Sequence, residues 1–226
     1  MTYVMADIHG EYEKFKRLLD RIGFGARDTL YVLGDVIDRG SGGVDVLRDM
    51  MARPNVIPII GNHESLALTT FKAIPCDKPP EVFKRSRSYR IWKACGGAVT
   101  ARAFAALDRE RQRQIISYIE SFSVYREITV AGQAFHLSHT LPPFDPNRDI
   151  HEVTVTEFIW GEPDYHKRYD DRTVFITGHT PTGLLDPAFA GRIWRGNGHL
   201  AIDCGAPFEG GRLGCVCLET MEEYYD

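Results

Sequence analysis

Three short clusters gather side chains able to hold a divalent cation or move a proton: Asp7-Ile8-His9-Gly10, Gly34-Asp35-Val36-Ile37-Asp38-Arg39-Gly40 and Gly61-Asn62-His63-Glu64. On an extended segment, Asp7 and His9 stand two apart and direct a carboxylate and an imidazole to one side, where both can grip one ion. Asp35 supplies a carboxylate of the kind that bridges two cations roughly 3.5 to 4 Å apart in two-metal hydrolases. Asn62 adds a neutral carbonyl oxygen for the second ion. His139 in Ser-His-Thr and His179 in Gly-His-Thr complete a set of imidazole nitrogens and oxygens without thiolate. Such donors suit Mn²⁺, Fe²⁺ or Zn²⁺ and do not suit a copper thiolate or an iron–sulfur cluster.

The placement of the clusters matters more than any one of them. Apolar runs at Thr2 to Met5, Thr29 to Leu33 and Val56 to Ile60 read as buried strands, and each leads directly into a cluster. Helical spacing joins them: Tyr12, Phe15, Leu18, Leu19 and Ile22 in the first link, then Val44, Val46, Leu47, Met50 and Met51 in the second. The order β-α-β-α-β predicts parallel strands with right-handed crossovers. In open α/β sheets, ligands bind in the crevice beyond the carboxyl ends of the strands, so the three clusters should converge there.

Further along, Glu64 to Ser121 reads as helical, with breaks at Pro75 to Pro80 and at Gly96-Gly97, and is expected to be a cap or side insertion over about residues 71–121. Val124 to Val130 and Ala134 to Ser138 flank a hairpin turn at Ala131-Gly132-Gln133. A helix around Val153 to Trp160 precedes the strand Thr173 to Thr177, which leads to His179. The tail segments Leu200 to Cys204, Arg212 to Leu218 and Glu222 to Tyr225 alternate well enough for an antiparallel finish. There is no internal repeat and no low-complexity linker.

The chain has 226 residues, 43% of them hydrophobic and 26% charged, with a formal net charge of −4. That length fits one large α/β domain over 1–226. The mild charge speaks against a nucleic-acid or membrane partner. No apolar run approaches a membrane span, and Asp7 and His9 interrupt the start where a secretory signal would need an apolar stretch, so a cytoplasmic location is expected. The five cysteines, odd in number and without Cys-x-x-Cys spacing, read as free thiols. Nothing here sets an oligomeric state.

Taken together, D-x-H-G, G-D-x-x-D-R-G, G-N-H-E, a lone histidine and G-H-T resemble the PPP branch of metallophosphoesterases. That branch includes bacterial and phage serine/threonine phosphatases and symmetrical diadenosine tetraphosphatases. The motifs run in order from Asp7 to His179. The resemblance implies an α/β four-layer sandwich, two mixed β-sheets flanked by helices, with two divalent ions at one end, manganese being the first expectation. It implies that Asp7, His9 and Asp35 hold one ion, and that Asp35, Asn62, His139 and His179 hold the other. It further implies hydrolysis of a phosphomonoester by in-line attack of a hydroxide shared by the ions. Arg39 would bind phosphate with a planar fork that lysine cannot copy. His63 would protonate the leaving oxygen, oriented by Asp38.

Each cluster alone also has an ordinary reading. Asp35 to Gly40 could be a strand-end turn with a surface ion pair, Asn62 could be a helix N-cap, and a lone histidine is usually just hydrogen-bonded. His136, His151, His166 and His199 carry no motif and read as structural or surface residues. Lys84, Arg85, Arg87 and Arg90 read as a solvated helix face, Trp160 and Trp194 as core or rim packing, and Cys204 and Gly205 as rim residues. Ala6 replaces the family's usual glycine, and Thr140 follows His139 where a smaller residue is usual. Glu162, after Trp160-Gly161, cannot serve as the second phosphate-binding arginine of many family members, which leaves Arg148, Arg168 and Arg172 as substitutes. The expected substrate is a phosphoprotein, with a symmetrical dinucleoside tetraphosphate as the alternative and a non-catalytic phosphate-binding module as a more distant one.

Overall fold

The structure, a computed structural model, describes residues 1–73 and 86–226. The three apolar runs form β1 (Thr2–Met5), β2 (Thr29–Leu33) and β3 (Val56–Ile59), parallel and in the order β1-β2-β3. Pro58 is tolerated in β3 because that strand lies at the end of its sheet, where a missing N–H costs no central ladder bond. Helices α1 (Tyr12–Arg21) and α2 (Gly43–Met51) make the crossovers. Phe15, Leu18, Val46 and Leu47 from these helices pack against Tyr3, Met5, Leu30 and Val32 on one face of the sheet.

The second sheet holds β4 (Tyr125–Val130), β5 (Gln133–Ser138), β6 (Thr173–Thr177), β7 (Trp194–Gly196) and β8 (His199–Ala201), ordered β4-β5-β6-β8-β7. The hairpin between β4 and β5 is present, with Ala131 and Gly132 both at positive φ, the conformation a tight turn between twisted strands requires. The two sheets face each other across a shared apolar layer. Val4, Leu33 and Val216 enter it from the first sheet, and Phe135, Leu137 and Ile176 from the second. Strand alternation sends the intervening residues outward, to the helices on the first sheet and to α7 (Val155–Trp160) on the second.

The antiparallel finish expected for the tail holds for its last two strands but not for β8 beside β6. β8 pairs parallel to β6 and joins the second sheet, whereas β9 (Gly214–Cys217) and β10 (Glu223–Tyr225) join the first, with β9 antiparallel to β1. Strands of three or four residues carry too little periodicity to name their partner, and burial against one sheet or the other decides it.

The helical stretch forms α3 (Asn62–Ala73), α4 (Arg87–Ala94), α5 (Ala98–Ala105) and α6 (Arg109–Glu120), broken at Gly96-Gly97 as expected. The expected break at Pro75 to Pro80, and Lys84 and Arg85 of the basic run, lie outside the described residues. The remaining pair, Arg87 and Arg90, is exposed. This stretch is more than a side insertion: Phe71, Trp92, Phe104, Ile115 and Ile119 are part of the core over the first sheet. Ser86 caps α4 by accepting a hydrogen bond from the Tyr89 N–H.

Candidate metal centre

The loops that leave β1, β2, β3, β5 and β6 meet at one end of the sandwich. Backbone bonds lace the first two together: the N–H groups of Asp7, His9 and Gly10 donate to the carbonyls of Gly34, Asp35 and Val36. The Gly178 N–H ties the loop after β6 to the carbonyl of His139. Glu64 pins the middle loop. Its fully buried carboxylate accepts N–H bonds from Asp35, Val36, Ile37 and Gly61 at 2.8 to 3.3 Å. Burial and the Asp35 charge push this carboxyl up to about 7.

Among the described residues, six of the nine non-glycine residues with positive φ are Asp7, His9, Asp35, Asp38, Arg39 and His179. Residues other than glycine enter that region at a cost, which concentrates where the fold must aim a side chain. Asp7 and His9 therefore do not lie on the extended segment expected for them, and strand alternation does not set the directions of their side chains.

What converges is a set centred on Asp35. The ligand atoms of His9, Asp35 and His63 lie within 4.8 Å of one another, as do those of Asp35, His139 and His179. The two oxygens of Asp35 face different groups. Oδ2 lies 3.6 Å from His9 Nε2 and 3.7 Å from His63 Nε2, and Oδ1 lies 3.5 Å from His139 Nε2. Asn62 Oδ1 sits 2.9 Å from His139 Nε2 and 3.1 Å from His179 Nδ1. Asp7 belongs to neither compact trio; its carboxylate accepts the His179 N–H with both oxygens, at 3.1 and 3.0 Å. A side chain at Gly178 would strike that carboxylate at 2.0 Å, and one at Gly61 would strike Asp35 at 2.2 Å.

The tautomers follow from the backbone. His9 Nδ1–H donates to the Ile37 carbonyl and His139 Nδ1–H to that of Leu33, so each Nε2 presents a lone pair. Burial lowers the pKa of His9 to about 3 and of His179 to about 4, and lowers that of His139, which keeps these rings neutral. Burial opposes ionisation of Asp35 as well, but in the acid range where it would take up a proton the rings of His139, His63 and His9 are cationic, and their charge with the bond from the His63 backbone N–H holds its pKa below the usual carboxylate range. Lone pairs of His9 and His139 thus face carboxylate oxygens, acceptor against acceptor, in a buried place. A divalent cation resolves that conflict, so the residues present fit one on each side of Asp35.

His63 differs from its neighbours. Burial opposes its charge, but the Asp35 and Asp38 carboxylates outweigh burial and raise its pKa. Its Nδ1 lies 2.7 Å from Asp38 Oδ2, and the same oxygen accepts the Trp92 indole N–H at 2.6 Å. The Asp38 N–H donates to the Thr100 hydroxyl. Trp92 and Thr100 had no motif to mark them, and their role is visible only because α4 and α5 fold back over the loop after β2. Asp203, after β8, was also missed. It is 2% exposed and pushed up to about 7, chiefly by burial.

Arg39 is exposed, with its guanidinium 5.1 Å from the ring centre of half-exposed Phe208, and its charge acts on Asp7, His9 and His179. Neither substitute arginine with side-chain contacts turns to this centre. Arg148 is held by Glu157, and Arg168 lies by the carbonyls of Asp170 and Asp171. Thr140 is accommodated: its buried hydroxyl donates to the Gly161 carbonyl, latching the end of α7 beside His139. Trp160 is rim, 43% exposed, with its ring 6.2 Å from that of His179.

Residues 2–203 match the calcineurin-like phosphoesterase family. The chain belongs to that family. Family membership identifies it as a metal-dependent phosphoric ester hydrolase using divalent ions, in keeping with the paired donor groups around Asp35. It is 27% identical to serine/threonine-protein phosphatase 2 of Escherichia coli strain K12, over 92% of this chain and 88% of that protein. A shorter stretch, 35% of this chain and 29% of the other, is 37% identical to the symmetrical bis(5'-nucleosyl)-tetraphosphatase of Salmonella paratyphi B. Among solved structures, one described as a candidate diadenosine tetraphosphatase superposes with a TM-score of 0.70 at 14% identity, covering 100% of this chain and 92% of the other. The two mixed sheets flanked by helices are the architecture of such metallophosphoesterases. Among the described residues, no helix is long and apolar enough to cross a membrane.

Proposed function

We propose that the chain is a phosphatase acting on phosphoserine or phosphothreonine in proteins, with residues 1–226 working as one catalytic unit in a cytoplasmic, thiol-reducing setting. The observation that carries this reading is Asp35, one of whose carboxylate oxygens faces the neutral imidazole of His9 and the other that of His139. In this scheme Asp35 would contribute to holding two divalent ions, one together with Asp7 and His9 and the other with Asn62, His139 and His179. Nitrogen and oxygen donors without thiolate suit Mn²⁺, the ion expected first, and Fe²⁺ or Zn²⁺ as well. When bound, the ions lower the pKa of coordinated water towards neutrality and neutralise charge on the phosphoryl oxygens.

The chain's own side chains do the remaining work. Arg39 grips the phosphate with its planar fork and orients the ester for in-line displacement. His63, held protonated by Asp35 and Asp38, gives its Nε2 proton to the leaving serine or threonine oxygen. Trp92 and Asp38 position that imidazole. A second reading, hydrolysis of a symmetrical dinucleoside tetraphosphate, is favoured by one feature: Trp160 and Phe208 place exposed aromatic faces beside His179 and Arg39, where a nucleobase can stack.

The test uses metal-stripped protein with Mn²⁺ restored, given an aryl phosphate, a phosphothreonine peptide and diadenosine tetraphosphate side by side. The phosphopeptide should show the highest kcat/KM of the two biological substrates. Preference for the dinucleotide moves the assignment to the second reading, and hydrolysis of none of the three leaves only a binding module.

A further inference from the structure

The outer face of the second sheet carries a cavity of about 300 Å³, lined by no member of the metal centre. Its floor is His136 of β5. Phe135 and Leu137 point into the layer between the sheets, so strand alternation turns His136 the other way. The imidazole is 1% exposed, and neither ring nitrogen has a hydrogen-bond partner among the described residues. The rings of Tyr125 and Phe158 lie near-parallel beside it, with centroids at 5.1 and 5.6 Å and 5.1 Å from each other, and give its polar edge no hydrogen-bond partner. Buried polar atoms are ordinarily paired, so an unpaired edge at the floor of a cavity points to a ligand that supplies the partner.

The charge around the cavity selects among ligands. Three carboxylates line it, Glu127, Asp145 and Asp170, against one guanidinium, Arg148, whose two terminal nitrogens are already held by Glu157. Glu127 Oε1 lies 3.6 Å from His136 Nδ1 and 3.8 Å from His151 Nε2, too far for direct hydrogen bonds. These three atoms do not close into the compact grouping that the metal centre shows. They do surround a space suited to a group with several N–H donors and no acceptor, which is an ammonium. Tyr169 and Phe175 supply aromatic walls beside it, favourable to a cation and to an apolar stem.

We propose that this cavity binds a small organic cation, a primary ammonium on a short aryl or alkyl stem, with the nitrogen between Glu127 and His136 and the stem against Tyr169 and Phe175. The test titrates phenethylammonium into the full chain with its metals, followed by calorimetry and by the imidazole nitrogen resonances of His136. Saturable binding that shifts those resonances is expected, with 2-phenylethanol weaker by about tenfold or more and 3-phenylpropionate without effect. Glu127→Gln should weaken binding by about tenfold and His136→Phe should abolish it, while both variants keep their aryl phosphatase turnover as a sign of intact folding. Equal binding of the neutral alcohol, or affinity unchanged in Glu127→Gln, overturns the proposal. So does a response of His136 to Zn²⁺ but not to the amine. Should His136→Phe fail to fold, Glu127→Gln decides alone, since that side chain is half exposed.

Discussion

Two histidines three residues apart on one stretch of chain meet opposite fates. His139 and His136 are both buried, and burial lowers the pKa of each, that of His136 to about 4. His139 spends its proton on the Leu33 carbonyl and aims its lone pair at Asp35, Asn62 and His179. His136 sits in a stack of aromatic rings with both nitrogens unpaired among the described residues. In the proposed scheme the same side chain is a metal donor in one place and carries an uncompensated polar edge in the other. The difference lies in what the neighbouring loops bring: carboxylate and amide oxygens at the sheet ends, ring faces on the outer side.

The sharpest way to break this contrast is Asp35→Asn. Removing the shared carboxylate should weaken metal binding by more than about 100-fold, beyond what loss of an outer-shell partner does, and abolish turnover. Metal analysis after dialysis checks it, and two ions retained per chain would end the scheme. Next in size is His63→Asn, expected to lower kcat by about 10² to 10⁴ while leaving the metal content intact; loss of both ions would make His63 a ligand instead. Because the folded pKa of His63 is raised, its protonated fraction, and with it kcat, falls as pH rises through a value above 6.5. Asp38→Asn removes one of the carboxylates responsible and should move that alkaline limb to lower pH, read from a pH–rate profile.

On the other side of the comparison, His136→Phe removes an unpaired buried polar edge while keeping an aromatic ring. It should stabilise the fold by about 1 to 3 kcal/mol, with Tm rising by roughly 2 to 4 °C for each kcal/mol in a chain of this size, and kcat unchanged. A fall in Tm would mean that the imidazole has a partner in solution. The smallest effect concerns Glu157, whose carboxyl is held down to about 2, first by Arg148 and then by the Thr154 N–H. A depressed carboxyl contributes stability above its unfolded value of 4.5 and loses it as pH falls towards 2. The Tm gap between wild type and Glu157→Gln should therefore be present at pH 7 and close across that window.

Much of the site was legible because its residues follow strands. Asp7, Asp35 and Asn62 stand within two or three positions of the ends of β1, β2 and β3, so strand order alone gathered them. The reasoning failed where backbone conformation, not spacing, sets direction. Asp7 and His9 sit at positive φ, and the compact trio beside His9 takes His63 where Asp7 was expected. Trp92 and Thr100 were invisible because a core tryptophan and a helix threonine look alike whether or not an Asp38 lies behind them. Asp203 gave no signal either, one carboxylate after a three-residue strand whose sheet could not be named in advance.

The order of residue types along this chain was enough to determine the kind of fold, the family and which clusters gather at the sheet ends, because strand periodicity and residue chemistry are local properties of the sequence. Only the folded chain decided which oxygen of Asp35 faces which imidazole, which nitrogen of His9 and of His139 keeps its proton, and that His136 has no hydrogen-bond partner among the described residues. These depend on contacts between segments distant along the chain, such as His9 with Ile37, 28 residues away, His139 with Leu33, 106 away, and His179 with Asp7, 172 away, and no spacing along the chain encodes them.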